Sequence, residues 1–214
     1  MARTAVKDMT QGKPLPLILG FYMPMLFGML FQQLYNMADT MIVGKCLGVD
    51  ALAGVGSTSA ISFMIIGFCQ GVCGGFAIPV AQKFGEKNEG ALRKFVANSG
   101  WLAAAFSLVM TVAVCLLCRN ILVWMDTPED IFQYAYDYIF VIFLGIPATY
   151  LYNLVSGIIR SLGDSTTPLL FLLFSSLLNV GLDFFAILVL DMGVAGAGWA
   201  TLLAQAISGI LCLL

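Results

Sequence analysis

Long apolar runs separated by short polar segments make up almost the whole chain. A helix needs about 20 apolar residues to cross a bilayer, and six of these runs reach that length. The predicted helices one to six cover residues 15–46, 52–82, 95–118, 131–158, 168–190 and 194–214. The pattern therefore predicts an all-α integral membrane protein, with a bundle of six transmembrane helices over residues 15–214 after a polar segment at residues 1–14.

The composition supports a membrane protein rather than a soluble one. Of the 214 residues, 60% are hydrophobic and only 10% are charged, against about 25% charged residues in a typical soluble domain. The first apolar run is too long for a secretory signal peptide and lacks a small-residue cleavage site, so we expect it to remain as a helix. The six cysteines lie in or beside apolar runs, and the chain has no histidine. We therefore interpret the Cys115–Cys118 pair as packing residues rather than a redox or zinc site.

The distribution of lysine and arginine indicates how the helices are oriented. Residues 1–14 and the loops on the same side of the predicted bundle form its basic end, and the opposite side is its outer end. The basic end holds Arg3, Lys7, Lys13, Lys83, Lys87, Arg93, Lys94 and Arg160, and the outer end holds Lys45 and Arg119. Because cytoplasmic loops are rich in lysine and arginine, we expect a multi-pass protein of the cell (inner or plasma) membrane with a cytoplasmic N-terminus.

Of the 12 acidic residues, ten lie in or near loops, and two, Asp39 and Asp183, lie deep within predicted helices. Asp39 lies eight residues before Leu47 near the outer end of predicted helix one, and Asp183 lies seven residues before the outer end of predicted helix five. Thr201 lies seven residues into predicted helix six. At about 1.5 Å per residue, all three lie roughly 10–12 Å below the outer surface. Asn179 lies one turn from Asp183 on the same helical face. An aspartate at the centre of a membrane helix costs about 2.5–3.5 kcal/mol, so this depth-matched group is a candidate functional cluster.

The chemistry of this group favours a small cation or a proton. Oxygen atoms from two carboxylates, an amide and a hydroxyl are suitable ligands for a hard cation. No lysine or arginine lies in the middle of a predicted helix, so we expect the compensating charge to come from outside as H⁺, Na⁺ or a cationic substrate. The alternative is that these polar residues only form hydrogen bonds between helices. Pro24 interrupts predicted helix one and is either a hinge or a static bend.

Several segments in combination resemble one family of membrane transporters. They are LYNMADTMIVG at 34–44 after Pro24, AQKFGEKNE at 81–89, GIIRSLGDSTTP at 157–168 and NVGLDFFAILVLDMGVAGAGWAT at 179–201. Together they are similar to the N-terminal half of a multidrug and toxic compound extrusion (MATE) transporter of the DinF-like branch. The resemblance runs over nearly the whole chain.

The resemblance implies a twelve-helix antiporter of two six-helix lobes, of which this chain is the N-terminal one. Such an antiporter exports bulky organic cations, including drugs and toxins, in exchange for H⁺ or Na⁺ and needs no cofactor. The implied partners are these organic cations, the lipid bilayer and either the missing second lobe or a second copy of this half. No nucleic-acid partner is expected.

The resemblance also assigns roles to individual residues. It implies that Asp39, Asn179, Asp183 and Thr201 bind the coupling cation, H⁺ or Na⁺, and it implies no other metal site. It implies a substrate cavity lined by Tyr35, Asn36 and Asn153, and it makes Pro24 the hinge of the first helix.

Three other functions fit parts of the sequence. Tyr136-Asp137 and Gly163-Asp164 resemble the motifs of an intramembrane aspartyl protease, but 27 residues of predicted helix separate the two acids. That is about 40 Å at helical rise, so we expect no enzyme. A flippase of lipid-linked oligosaccharides from the same superfamily is the second alternative, although such flippases often line their cavity with arginine. A non-transporting structural half, or a passive channel formed by two copies, is the third.

Overall fold

The computed structural model describes residues 12–213, and this part of the chain is helical almost throughout. The helices are α1 (Pro14–Leu47), α2 (Val49–Gly85), α3 (Glu89–Trp124), α4 (Glu129–Leu144), α5 (Ile146–Ser161), α6 (Thr166–Phe184), a π-helix (Phe185–Val189) and α7 (Gly193–Leu213). Most of the polar N-terminal segment, with Arg3 and Lys7, and the last residue of predicted helix six lie outside the described residues.

The number of membrane spans agrees with the sequence pattern. Five helices are long and apolar enough to cross a bilayer: α1, α2, α3, α7 and α6 together with the π-helix. A sixth span is formed by α4 and α5 together, which are bent by 46° where they meet. The prediction of an all-α bundle with six spans is therefore confirmed.

Predicted helix four is broken rather than continuous. It was expected over 131–158, and the structure divides it into α4 and α5 at Gly145. Pro147 lies in the first turn of α5, where its missing N–H cannot continue the hydrogen bonding of α4. A Cβ atom at Gly145 would lie 3.3 Å from the Cγ atom of Leu202 in α7. The bend therefore lies at a place where α7 packs closely against the chain.

Predicted helix five also ends differently from the expectation of 168–190. Its α-helical part ends at Phe184, and one π-helical turn begins at Phe185, two residues after Asp183. The start of α7 packs tightly against this turn, because a Cβ atom at Gly196 would lie 3.2 Å from the Cβ atom of Ala186. Single π-helical turns inside helices are frequent at functional sites.

The second and third spans extend beyond the predicted limits of 52–82 and 95–118. The helical residues beyond these limits include polar ones, which a prediction from apolar runs leaves out. They continue each helix outside the apolar layer. The side chain of Asn88 caps α3 by accepting a hydrogen bond of 3.1 Å from the N–H of Ala91, as favoured N-cap residues do.

Two apolar clusters hold the bundle together. The larger lies between α2, α3, α4 and α5, and it includes the fully buried Leu122, Phe143 and Cys118. The second joins α1, α2, the π-helix and α7 near the outer end. Many large apolar side chains face outward, for example Phe63 with 82% and Trp101 with 79% of their surface exposed. Lipid chains or a second lobe are the natural surroundings of such surfaces.

Candidate functional site

Four polar residues from α1, α6 and α7 meet inside the bundle, below its outer end. Asp39 lies in the second half of α1 and is 6% exposed, whereas Asn179 and Asp183 lie one turn apart in α6 and are 2% and 0% exposed. Thr201 is a half-buried residue in α7. The structure therefore brings together all four residues that the sequence predicts as the cation site.

The side chains in this cluster contact one another directly. The amide of Asn179 donates a hydrogen bond from Nδ2 to Oγ1 of Thr201 at 3.2 Å. The carboxyl group of Asp39 is close enough to that of Asp183, and to the hydroxyl of Tyr138 in α4, for these groups to interact. We call these five residues the acidic site.

The acidic site contains four buried oxygen atoms that lack a hydrogen-bond partner among the described residues. They are Oδ1 of Asp39, Oδ1 of Asn179 and both carboxylate oxygens of Asp183. Buried polar atoms are paired in the great majority of cases, so an unpaired group calls for an explanation. A proton shared by two carboxyl groups, or a cation bound by several oxygens, would supply the missing interaction.

A small void lies directly beside the acidic site. Its volume is about 10 Å³, and its polar lining comes from Tyr35, Asn179, Thr201 and Gln205, together with serines of α6. A void of this size is at the lower limit for one water molecule. The space therefore fits a small ion or a single water, and it is far too small for an organic molecule.

Apolar residues separate the acidic site from the outer end. Ile42 and Val43 follow Asp39 by one turn, and they pack with Val55, Ile187 and further members of the second apolar cluster. Asp39 lies eight residues before the end of α1, which is about 12 Å along the helix. The second apolar cluster therefore covers the acidic site on the side of the outer end.

The three residues predicted to line a substrate cavity occupy different environments. Tyr35 borders the void. Asn153 in α5 is half-buried, and its Nδ2 donates to the carbonyl of Thr149 at 2.8 Å. Asn36 is exposed on α1, where its carbonyl accepts a 2.9 Å hydrogen bond from the hydroxyl of Thr40. Only Tyr35 adjoins the acidic site, and the cavity role of all three residues stays a prediction.

Two residues of this region were missed by sequence reasoning. Gln205 accepts a hydrogen bond of 2.6 Å at Oε1 from the hydroxyl of Thr149, and it also borders the void. It lies four residues after Thr201, so the same i, i+4 rule that linked Asn179 to Asp183 could have found it. Tyr138 had no comparable signal, because its contact with Asp39 depends on how α4 is rotated in the bundle.

Asp137 and Asp164, the two acids that resemble protease motifs, form hydrogen bonds with residues close to them in the sequence. Asp164 precedes α6, and its Oδ1 accepts from the N–H groups of Thr166 and Thr167 at 2.9 and 3.0 Å. Such a carboxylate caps the start of a helix. Asp137 accepts a 2.7 Å hydrogen bond from Nε2 of Gln133 on its own helix. These acids stabilise local structure and do not form a catalytic pair.

The fold and the buried acids define a multi-pass membrane protein with a polar site inside its helical bundle. A profile of the MatE family matches residues 24–185, which is most of the chain. The chain therefore belongs to the MATE family, as the sequence motifs suggested. This family consists of transporters, so the expectation that the chain is not an enzyme is confirmed.

Individual relatives agree with this assignment. The chain is 31% identical over 201 residues to YpnP, a probable multidrug resistance protein of Bacillus subtilis strain 168, covering 94% of this chain and 45% of that protein. It is 25% identical over 186 residues to the DNA damage-inducible protein F of Escherichia coli K12, covering 86% and 40%. The crystal structure of a MATE transporter in the bent conformation superposes with a TM-score of 0.89 at 27% identity, covering 99% of this chain and 47% of the other. The chain thus spans less than half the length of these relatives.

Proposed function

We propose that this chain is the ion-coupling lobe of an antiporter that exports bulky organic cations in exchange for H⁺ or Na⁺. The observation that carries the proposal is the set of four unpaired, buried oxygen atoms contributed by Asp39, Asn179 and Asp183. Membership of a family with multidrug resistance relatives supports the substrate class. DNA damage-inducible protein F supports the proposed branch.

Charge explains how the acidic site would couple the two fluxes. Two ionised carboxylates in contact repel each other, and the surrounding membrane interior makes their charge costly. Binding of one proton or one Na⁺ removes this cost. A cationic substrate is attracted by the same negative charge, so the coupling ion and the substrate compete. Entry of the ion therefore favours release of the substrate.

The route of the coupling ion requires a movement of α1. Asp183 is completely buried, and the second apolar cluster separates it from the outer end. The helix α1 contributes both Asp39 and part of that cluster, so bending α1 would open the route. Pro24 lies 15 residues before Asp39, about 22 Å along the helix, and its missing N–H makes that turn easier to bend. We assign Pro24 as the hinge.

The proposed transport also needs a second lobe. Substrate sites of repeat-built carriers lie at the interface between their repeats, and this chain supplies one such half. Asn36 and Asn153 would then line the side of the cavity contributed by this lobe, together with Tyr35. A second copy of the chain is the alternative partner. A flippase for lipid-linked oligosaccharides is less well supported, because the deepest charged groups here are acids rather than arginines.

The experiment measures export of a fluorescent organic cation from vesicles that contain the chain, alone and joined to the second lobe of a MATE relative. An imposed H⁺ or Na⁺ gradient should drive export only in the joined form, which would assign the coupling role to this lobe. Export by the chain alone would indicate a working pair of identical halves. If a folded, joined protein exports nothing under either gradient, the antiporter proposal is wrong.

The hinge assignment has its own test in the joined protein. Pro24→Ala restores the N–H and should slow gradient-driven export while the protein remains folded. Pro79→Ala changes the proline inside α2 and serves as the matched control, with export expected to stay near the unmodified level. Equal export by both variants would show that bending at Pro24 is not needed.

A further inference from the structure

A large cavity lies at the basic end of the lobe, and none of the residues that border it belongs to the acidic site. Its volume is about 1180 Å³, and it is bordered by the ends of α2 and α5 and the start of α3, with Phe21 of α1. Gly74 shows how far the cavity extends into the lobe. It lies nine positions before Lys83 on α2, which is about 14 Å along the helix. The cavity is larger than the roughly 300–1,000 Å³ of a typical small-molecule pocket.

The cavity combines an apolar interior with a positively charged mouth. Lys83, Lys87, Arg93 and Arg160 all border it, and Glu89 is the acidic residue on its wall. Lys83 is paired with Glu86, with Nζ to Oε2 at 2.8 Å. Four cations against these two carboxylates leave a net charge of +2. The deeper wall is apolar, with side chains such as Ile78 and Leu162.

Arg160 borders this cavity and has no carboxylate partner among the described residues. It lies in the last turn of α5 and is half-buried. Its Nε is completely buried and has no hydrogen-bond acceptor among the described residues. The one ion pair of the described part of the chain joins Lys83 to Glu86, so no carboxylate neutralises Arg160 there. An arginine in this situation suits a phosphate, which can accept two parallel hydrogen bonds from one guanidinium group.

We propose that this cavity binds the phosphate headgroup of an anionic phospholipid, with the acyl chains against its apolar wall. The basic residues lie at the ends of membrane-spanning helices, which is the level of lipid headgroups. Basic pockets between such helices on the cytoplasmic side bind anionic headgroups, and the basic end is the predicted cytoplasmic side. A free phosphate would satisfy Arg160 equally well but would leave the apolar depth of the cavity uncovered. The lipid is therefore the better match in both charge and polarity.

This inference concerns a site separate from the acidic site, and it does not depend on the proposed antiport. Its test is native mass spectrometry of the purified full chain with phosphatidylglycerol and phosphatidylcholine of the same chain length. The anionic lipid should be retained preferentially. Arg160→Gln and Arg93→Gln should each lower this preference by about fivefold, the value expected for one basic residue near a membrane surface. Lys94→Gln is the control, because Lys94 is exposed and does not border the cavity.

A second pair of variants tests the cavity itself rather than its charge. A Cβ atom at Gly74 or at Gly75 would meet no other atom within 4 Å, so both positions accept a larger side chain. Gly74 borders the cavity and Gly75 does not. Gly74→Leu should therefore reduce retention of phosphatidylglycerol, whereas Gly75→Leu should leave it unchanged.

Four results would overturn the inference. Equal retention of both lipids would show that charge does not select the occupant. Equal retention by Gly74→Leu and Gly75→Leu would place the lipid elsewhere on the protein. Displacement of phosphatidylglycerol by millimolar inorganic phosphate would indicate a site for soluble anions. Loss of phosphatidylglycerol when the second lobe is joined would show that the cavity is an interface between the lobes.

Discussion

The side-chain amide of Asn179 donates a 3.2 Å hydrogen bond to the hydroxyl of Thr201 and thereby joins α6 to α7 beside the two buried carboxylates. This bond determines which side-chain atom of Asn179 remains without a partner among the described residues. Because Nδ2 is directed at Thr201, the carbonyl oxygen Oδ1 is the atom without a partner. The contact therefore both packs two helices and presents an oxygen ligand toward the acidic site.

Replacement of Thr201 tests this arrangement. Thr201→Val keeps the shape of the side chain but leaves the amide of Asn179 without its acceptor. Hydrogen bonds between membrane helices contribute about 0.6 kcal/mol on average and up to about 1.7 kcal/mol, so we expect stability to fall within that range and coupling to weaken. Thr201→Ser retains the hydroxyl and should behave like the unmodified protein. Thermal unfolding in detergent and gradient-driven export are the two measurements, and equal values for Val and Ser would contradict the role of this bond.

Removing the charge of either buried carboxylate in the acidic site should lower transport without lowering stability. Asp39→Asn and Asp183→Asn each remove a charge that the membrane interior makes costly. We expect export by the joined protein to fall at least about tenfold, with a melting temperature that is unchanged or higher. Asp50→Asn is the matched control, because Asp50 is an exposed residue in the first turn of α2. Normal export by both buried-site variants would disprove the coupling role.

At Gly54, α2 lies very close to α4. A Cβ atom there would lie 2.7 Å from the Cβ of Tyr134 and 3.0 Å from the backbone nitrogen of Ala135. Gly54→Ala should destabilise the fold by about 1–3 kcal/mol, as overpacking of a close contact does. Gly56→Ala, on the same helix but with no atom within 4 Å, should be neutral or slightly stabilising, since alanine favours helix. Unfolding temperatures that do not differ between the two would show that α2 and α4 are further apart.

Labelling of two engineered cysteines tests the predicted orientation. Glu129 and Glu89 are both exposed residues in the first turn of a helix, at the outer and basic ends respectively. In cells that express the chain with Cys46→Ala, a membrane-impermeant maleimide should label Glu129→Cys directly. Glu89→Cys should react only after the membrane is permeabilised. Cys69, Cys73 and Cys118 are buried and should not contribute, and the reverse labelling pattern would invert the topology.

Much of the architecture could be predicted because of one strong constraint. A long apolar run has no stable alternative to spanning the membrane as a helix, since backbone groups in lipid must be paired within the helix. That constraint gives the number of spans. It also gives the depths of Asp39, Asp183 and Thr201, because depth follows from counting residues along a helix. Gln205 lies one turn from Thr201, and the same counting along the helix would have found it.

The tertiary structure alone decided which residues meet around those acids and where the helices deviate from regularity. The contact of Tyr138 with Asp39, and the outward position of Asn36, depend on how each helix is rotated about its axis. Apolar periodicity does not report that rotation when a helix is apolar on every side. The bend at Gly145 and the π-helical turn that follows Phe184 both lie where the chain packs closely against α7. The sequence by itself thus determined spans and depths, which follow from local length and polarity, whereas contacts between helices follow from packing that only the assembled bundle defines.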